Sequence, residues 1–193
     1  MENFEEFAII DGECSNYTIN QFNTTFNRNN KKFLVMNFNI QCFDTKIDEF
    51  LVFLDKMKLI PDIIILSETW FSPSTCREIT GYKDYNCTRP FLNDRGGVTI
   101  YVHESLNVTL THYSFNVSPE LEHVHITLKP HDADRKSIDI IGIYRPPHRT
   151  LIENFLNSLE TILNNLRTDT DQILAGDFNI FGLELLAQTW TKI

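Results

Sequence analysis

At 193 residues, with 42% hydrophobic side chains and 15 phenylalanines, the chain can bury a core of its own and is not a disordered polymer. Its 17 basic and 26 acidic residues leave a net charge of −9, which argues against a passive duplex-binding module, because phosphate contacts make such modules basic. The four cysteines (Cys14, Cys42, Cys76, Cys87) form no C-x-x-C pair and read as reduced thiols of an intracellular protein. No apolar run reaches the roughly 18 residues of a membrane span, and the acidic first residues do not fit a signal peptide.

Residues 1–30 are polar and Asn-rich and predict a poorly ordered leader. The first strand is Phe33 to Ile40, with Leu34, Met36, Phe38 and Ile40 on one face and Val35, Asn37 and Asn39 on the other. Thr45-Lys46-Ile47-Asp48 fits a capping box, and Ile47, Phe50, Leu51, Leu54 and Met57 follow at helical spacing. Pro61 ends that helix, and Asp62 to Leu66 is an apolar strand, giving a βαβ-like start with helical cover. Tyr82 to Cys87, Val98 to Val102, Val108 to His112, Leu121 to Leu128 and Ser137 to Ile143 read as consecutive, mostly antiparallel strands, with Arg95-Gly96-Gly97 as a turn. Thr150-Leu151-Ile152-Glu153 is a second capping box, leading a stripe of Ile152, Phe155, Leu156, Leu159, Ile162, Leu163 and Leu166. A strand at 172–175 then runs into Gly176-Asp177-Phe178-Asn179.

Several of these strands end in polar side chains without an obvious folding purpose: Asn39, Glu68, Asp177 with Asn179, and Tyr144 with Arg145. Strand ends are where open α/β sheets place ligands. If the ends converge, two carboxylates and two amides make a hard-oxygen site suited to Mg²⁺. Tyrosine and guanidinium suit phosphate oxygens, so the set points to metal-assisted phosphodiester hydrolysis. Each residue also has a plainer reading. Asn39 can be an Asx-turn, Glu68 a cap, Asp177-x-Asn179 a tight turn, and Tyr144-Arg145-Pro146-Pro147 an extended linker. His123 and His125, two apart on one strand face, read as a solvated sheet face rather than as metal ligands.

Five strings in fixed order carry a resemblance: Met36-Asn37-Phe38-Asn39-Ile40, Pro61 to Trp70, Gly96 to Val102, Ile143-Tyr144-Arg145-Pro146-Pro147 and Gly176 to Ile180. Across residues 31–180 the chain resembles the endonuclease of non-LTR retrotransposons, a branch of the endonuclease/exonuclease/phosphatase, DNase I-like superfamily. The resemblance implies a four-layer α/β sandwich with its second half incomplete. It implies Glu68 as principal ligand of Mg²⁺ (or Mn²⁺), with Asn39 beside metal and phosphate. Tyr144 would contact the phosphate or leaving group, Arg145 the phosphate. Asp177 would transfer a proton or orient the attacking water, and Asn179 would position the phosphate. The implied partner is the DNA phosphodiester backbone, with a downstream reverse transcriptase in the intact element and a nuclear location if that element is active. Gln41-Cys42 stands where the family commonly has an Arg-Ser type pair. No Ser-Asp-His string, the family's acid/base pair, occurs, and residues 181–193 do not resemble the expected continuation. The expectation is therefore a truncated endonuclease with little activity. Its rivals are a non-catalytic remnant or binding module, and a relative acting on another phosphoester.

Overall fold

Ile63, Ile64, Ile65 and Leu66 are all fully buried, and the architecture follows from how both faces of that strand are covered. The computed structural model describes residues 7–10, 14–26, 33–72, 74–87, 95–147, 151–180 and 189–192. In chain order the elements are β1 (Phe7–Ile10), β2 (Cys14–Tyr17), α1 (Ile19–Thr25), β3 (Val35–Asn39), α2 (Phe43–Lys56), β4 (Ile63–Ser67), β5 (Tyr82–Cys87) and β6 (Val98–His103). They continue with β7 (Val108–Val117), β8 (Glu122–Pro130), β9 (Ile138–Tyr144), α3 (Ile152–Asn164), β10 (Asp171–Asp177) and β11 (Thr189–Lys192).

One sheet has the order β3-β4-β6-β5, the other β11-β10-β9-β8-β7, and β1-β2 form a hairpin. β3 and β4 are parallel, as are β9 and β10, with α2 and α3 as the crossovers. The sheets face each other across one core that includes Ile65, Ile100, Val124, Ile126, Ile140 and Ala175. The other face of the first sheet packs on α2 through Met36, Ile64, Phe50, Phe53 and Tyr101. The other face of the second sheet packs on α3 through Ile141, Ile143, Leu174 and Phe155. These are the four expected layers, helix, sheet, sheet and helix.

Three details differ from the sequence reading. The N-cap of α2 is Cys42, not Thr45, and it makes no side-chain cap bond. Phe43 is 1% exposed and stacks on Tyr101, so the helix begins where that ring must enter the core. For α3 the N-cap is Leu151, also without a side-chain cap bond, while Thr150 lies outside the described residues. The leader, expected to be disordered, carries β1, β2 and α1. There the capping box is real: Thr18 accepts from the Gln21 N–H, and the Gln21 side chain accepts from the Thr18 N–H. Phe22 on α1 is 2% exposed and joins the α2-side core. Within 181–193, β11 pairs antiparallel with β10 and extends the second sheet.

Candidate active site

The C-terminal ends of β3, β4, β9 and β10 meet at one rim. β3 and β4 are in register through Asn39 and Ser67, so Asn39 lies beside the start of the Glu68 loop. β9 and β10 are in register through Tyr144 and Asp177. Asn39 then crosses between the sheets. Its Nδ2 donates to Glu68 Oε1 at 2.9 Å and to Asp177 Oδ2 at 2.8 Å. One carboxamide thus holds two carboxylates from different sheets. Its Oδ1 accepts from the Gln41 N–H at 3.2 Å, which fixes the amide's orientation. Asn39 turns a donor to the carboxylates, so it bridges the two acids.

The Glu68 backbone is held from both sides. Beyond the strand ends, the N–H groups of Ile40, Cys42 and Phe43 donate to the carbonyls of Ser67, Glu68 and Thr69. On the opposite side, the Trp70 N–H donates to Gly96 O at 2.8 Å. This zipping forces positive φ on non-glycine residues: Gln41 (48°), Cys42 (81°), Glu68 (54°) and Trp70 (48°). Each such residue costs roughly 1–3 kcal/mol, and such strain clusters at functional sites.

Asp177 is aimed by a second brace. Its Oδ1 accepts from the Asn179 N–H at 3.1 Å, and its carbonyl accepts from the Arg145 N–H at 2.8 Å. The Arg145 guanidinium donates to Asn179 O at 2.6 Å, and Asn179 Nδ2 donates back to Arg145 O at 2.7 Å. Arg145 is only 7% exposed and lies over the Phe155 ring. In this structure it clamps the turn that carries Asp177 and Asn179. Tyr144, expected at the leaving group, is 3% exposed and belongs to the core between the sheets, next to Asp177 in register. The structure thus gathers Asn39, Glu68 and Asp177 at the rim, sets Asn179 and Arg145 behind them, and places Tyr144 beneath.

Two further polar residues lie in this region, and the sequence reading missed both. Glu122 is fully buried, and its Oε2 accepts from the Gly97 N–H at 2.6 Å. It is the register partner of Tyr144. Its signal was parity: Glu122, Val124, Ile126 and Leu128 alternate on one face, so the acid falls on the core side. Asn37, two residues before Asn39, donates from Nδ2 to Gly176 O at 3.3 Å, and its Oδ1 is buried without a partner in the protein.

A groove of about 730 Å³ lies elsewhere, between the outer face of the second sheet and α3, lined by His112, His123, His125, Thr161 and Asn165 among others. None of the rim residues lines it. On its floor Asp139 is 1% exposed and accepts from Thr127 and Thr170, each at 2.5 Å, with His125 Nε2 at 3.1 Å. Burial raises that carboxyl's pKa, but these three hydrogen bonds outweigh it and hold the carboxyl below its ordinary value. Burial and the neighbouring His125 push His123 down to about 4.

The family model described as the endonuclease/exonuclease/phosphatase family matches residues 36–191, which is most of the chain. The chain belongs to the endonuclease/exonuclease/phosphatase family. No curated protein matches it. Solved structures share its DNase I-like fold. The Neisseria 3' phosphatase NExo, bound to a product DNA hairpin, matches with a TM-score of 0.57 at 15% identity, over 77% of this chain and 58% of that one. A humanized D. rerio TDP2 matches with a TM-score of 0.56 at 14% identity, over 77% and 63%. An AP endonuclease from Archaeoglobus fulgidus matches with a TM-score of 0.54 at 19% identity, over 77% and 58%. The chain therefore spans about three-fifths of the length of these structures. Nucleases of the endonuclease/exonuclease/phosphatase family generally depend on a divalent metal ion. Among the described residues no group of three or more His, Cys, Asp or Glu side chains is placed to hold one. The rim nevertheless fits a hard cation. It offers two carboxylates joined through one amide, and Mg²⁺ typically takes one or two carboxylates and keeps several waters.

Proposed function

We propose that this chain is the metal- and phosphate-binding part of an endonuclease that nicks DNA for a non-LTR retrotransposon. The observation that carries the reading is the Asn39 carboxamide joining Glu68 and Asp177 across the two sheets. In this reading Glu68 and Asp177 hold Mg²⁺, with Mn²⁺ able to replace it. The ion, when bound, stabilises negative charge on the phosphate and lowers the pKa of water. Asn39 keeps the carboxylates together. Asp177 orients the attacking water or takes its proton as the new P–O bond forms and the bond to the leaving oxygen breaks. Asn179, one N–H of its carboxamide engaged with Arg145 O, uses the other toward a phosphate oxygen. Arg145 acts through the turn it clamps. Tyr144 supports the floor beneath the phosphate. The string Tyr144-Arg145-Pro146-Pro147 and the order of the five motifs favour the retrotransposon branch, whose intact element carries a reverse transcriptase downstream.

These 193 residues hold no Ser-Asp-His string, and loss of a general base typically costs about 10²–10⁴-fold in rate. Hydrolysis by this chain alone is therefore expected to be slight. Calorimetric titration with Mg²⁺ tests the metal reading. Millimolar binding in the native chain, lost in Glu68→Ala and in Asp177→Ala, supports it. A folded chain that binds no Mg²⁺ makes it a non-catalytic module. Plasmid nicking in Mg²⁺ tests the expected weakness: rapid turnover abolished by Glu68→Ala would refute it. A soluble phosphodiester cleaved in preference to duplex DNA would refute the DNA substrate.

A further inference from the structure

On β3 the face toward the second sheet reads Val35, Asn37, Asn39. Asn39 is accounted for by the rim. Asn37 lies one pleat deeper, in a layer that is otherwise aliphatic: its register partner is Ile65, whose own partner on β6 is Ile100. A carboxamide in such a layer gives up hydration, and Asn37 Oδ1 is buried with no partner in the protein. Packing alone would favour an aliphatic side chain at this position. The donor half of the group is used. Nδ2 reaches across to the second sheet and donates to Gly176 O, 139 residues away in sequence.

That carbonyl has an unusual position. Gly176 is still in register with Ile143 of β9. Gly176 itself passes so close to β9 that a Cβ would lie 1.8 Å from Ile143 O. The peptide between Gly176 and Asp177 is therefore pinned to β9 on one side and tied to Asn37 on the other. It is the peptide from which the Asp177 side chain departs. β3 thus grips the end of β10 at two points, with Asn39 on the carboxylate and Asn37 on the carbonyl just before it.

We propose that Asn37 is a positioning residue for Asp177, setting the angle at which that carboxylate meets Asn39 and the bound cation. The inference rests on the metal site proposed above, but one arm of its test needs neither metal nor turnover. In the ¹⁵N-labelled full chain, Asn37→Leu should move the side-chain NH₂ resonances of Asn39 and weaken Mn²⁺ binding by about tenfold, the range for residues that orient metal ligands. The far-ultraviolet circular dichroism should stay native. Ile65→Val, a packing loss in the same layer, should leave the Asn39 resonances where they are. Asn39 resonances unmoved in a folded Asn37→Leu chain, or moved as far by Ile65→Val, would overturn the proposal. Should Asn37→Leu fail to fold, solvent exchange of the Asn37 NH₂ protons in the native chain decides. Protection of one proton supports the tie to Gly176, and exchange as fast as an exposed carboxamide refutes it. Absence of Mn²⁺ binding by the native chain would sink the metal reading, and the Asn39 resonances would still judge Asn37.

Discussion

Asn39→Ala removes the group that holds Glu68 and Asp177 together. Both carboxylate oxygens accept from one nitrogen, at 2.9 and 2.8 Å, so they lie close to each other. Like charges ~5 Å apart repel by roughly 1–3 kcal/mol at effective dielectric constants of about 80 to 20. The two lost hydrogen bonds are charge-assisted and would be worth about 1.5–3 kcal/mol each in a dry site. Asn39 is exposed, and water replaces much of that. A net loss of about 2 kcal/mol in the metal-free chain is the reasoned value, which for a domain of this size lowers the thermal midpoint by roughly 4–8 °C. Metal acts in the opposite direction. At 10 mM Mg²⁺ and a Kd of about 1 mM the native chain gains roughly 1.4 kcal/mol. The Asn39→Ala chain should gain less, because the ion must first gather carboxylates that repel and are no longer bridged. Glu68→Ala should gain nothing. Thermal unfolding followed by circular dichroism, in EDTA and in Mg²⁺, reads all three. Equal midpoints for the native and Asn39→Ala chains in EDTA would refute the bridging argument. An undiminished Mg²⁺ shift in Glu68→Ala would refute the assignment of the ligand.

Gly176→Ala should destabilise the chain by more than about 4 kcal/mol or prevent folding, because its methyl group would lie 1.8 Å from backbone Ile143 O, and backbone cannot swing aside as a side chain can; soluble yield and urea unfolding check this. Glu122→Leu leaves the buried Gly97 N–H without its acceptor and should cost roughly 1–3 kcal/mol in urea unfolding, while a stability equal to native would show that the bond contributes nothing. His123 is held near pKa 4 by burial and by His125, against 6.5 for an unperturbed ring. The folded chain therefore binds fewer protons than the unfolded chain between those values, and stability falls as pH drops through that window. The full linkage is roughly 3 kcal/mol, reduced to about 1–2 kcal/mol by the ring's partial exposure. Urea unfolding at pH 7 and pH 4.5 should show this loss in the native chain and a smaller one in His123→Phe.

Strands buried on both faces were legible because their apolar runs admit little else, as in Ile63 to Leu66. The residues gathered at the rim were legible for a related reason, since polar groups at the ends of such runs have no role in packing. What failed depended on partners far away in sequence. Arg145, followed by two prolines, read as a phosphate contact, and the bond from its guanidinium to Asn179 O, 34 residues on, was not foreseen. The buried polar cluster of His125, Thr127, Asp139 and Thr170 joins two strands and a loop, and no local period announces it. The helix start at Cys42 escaped because a φ of +81° on a non-glycine residue is imposed by the ladder to Glu68 and not chosen by the side chain. The leader escaped because α1 is short and buries chiefly one ring, Phe22, against a surface that exists only once α2 and the first sheet have formed.

The rim is the last layer of the inter-sheet core, not a cleft added to it. Along β4 the inward face runs Ile63, Ile65, Ser67, and along β10 it runs Ile173, Ala175, Asp177. The same pleat that points an aliphatic group into the core points a polar one into the site a few residues later. For this to place Asn39 within hydrogen-bonding reach of Asp177, the sheets must be close just below the rim. Gly142 on β9 permits that: a Cβ there would sit 2.9 Å from Val98 Cγ1 and 3.1 Å from Ile65 Cγ2 on the facing sheet. A side chain at Gly142 would wedge the sheets apart at the level of Asn37. The Asn39 bridge, which spans them one pleat higher, would be the first contact to open.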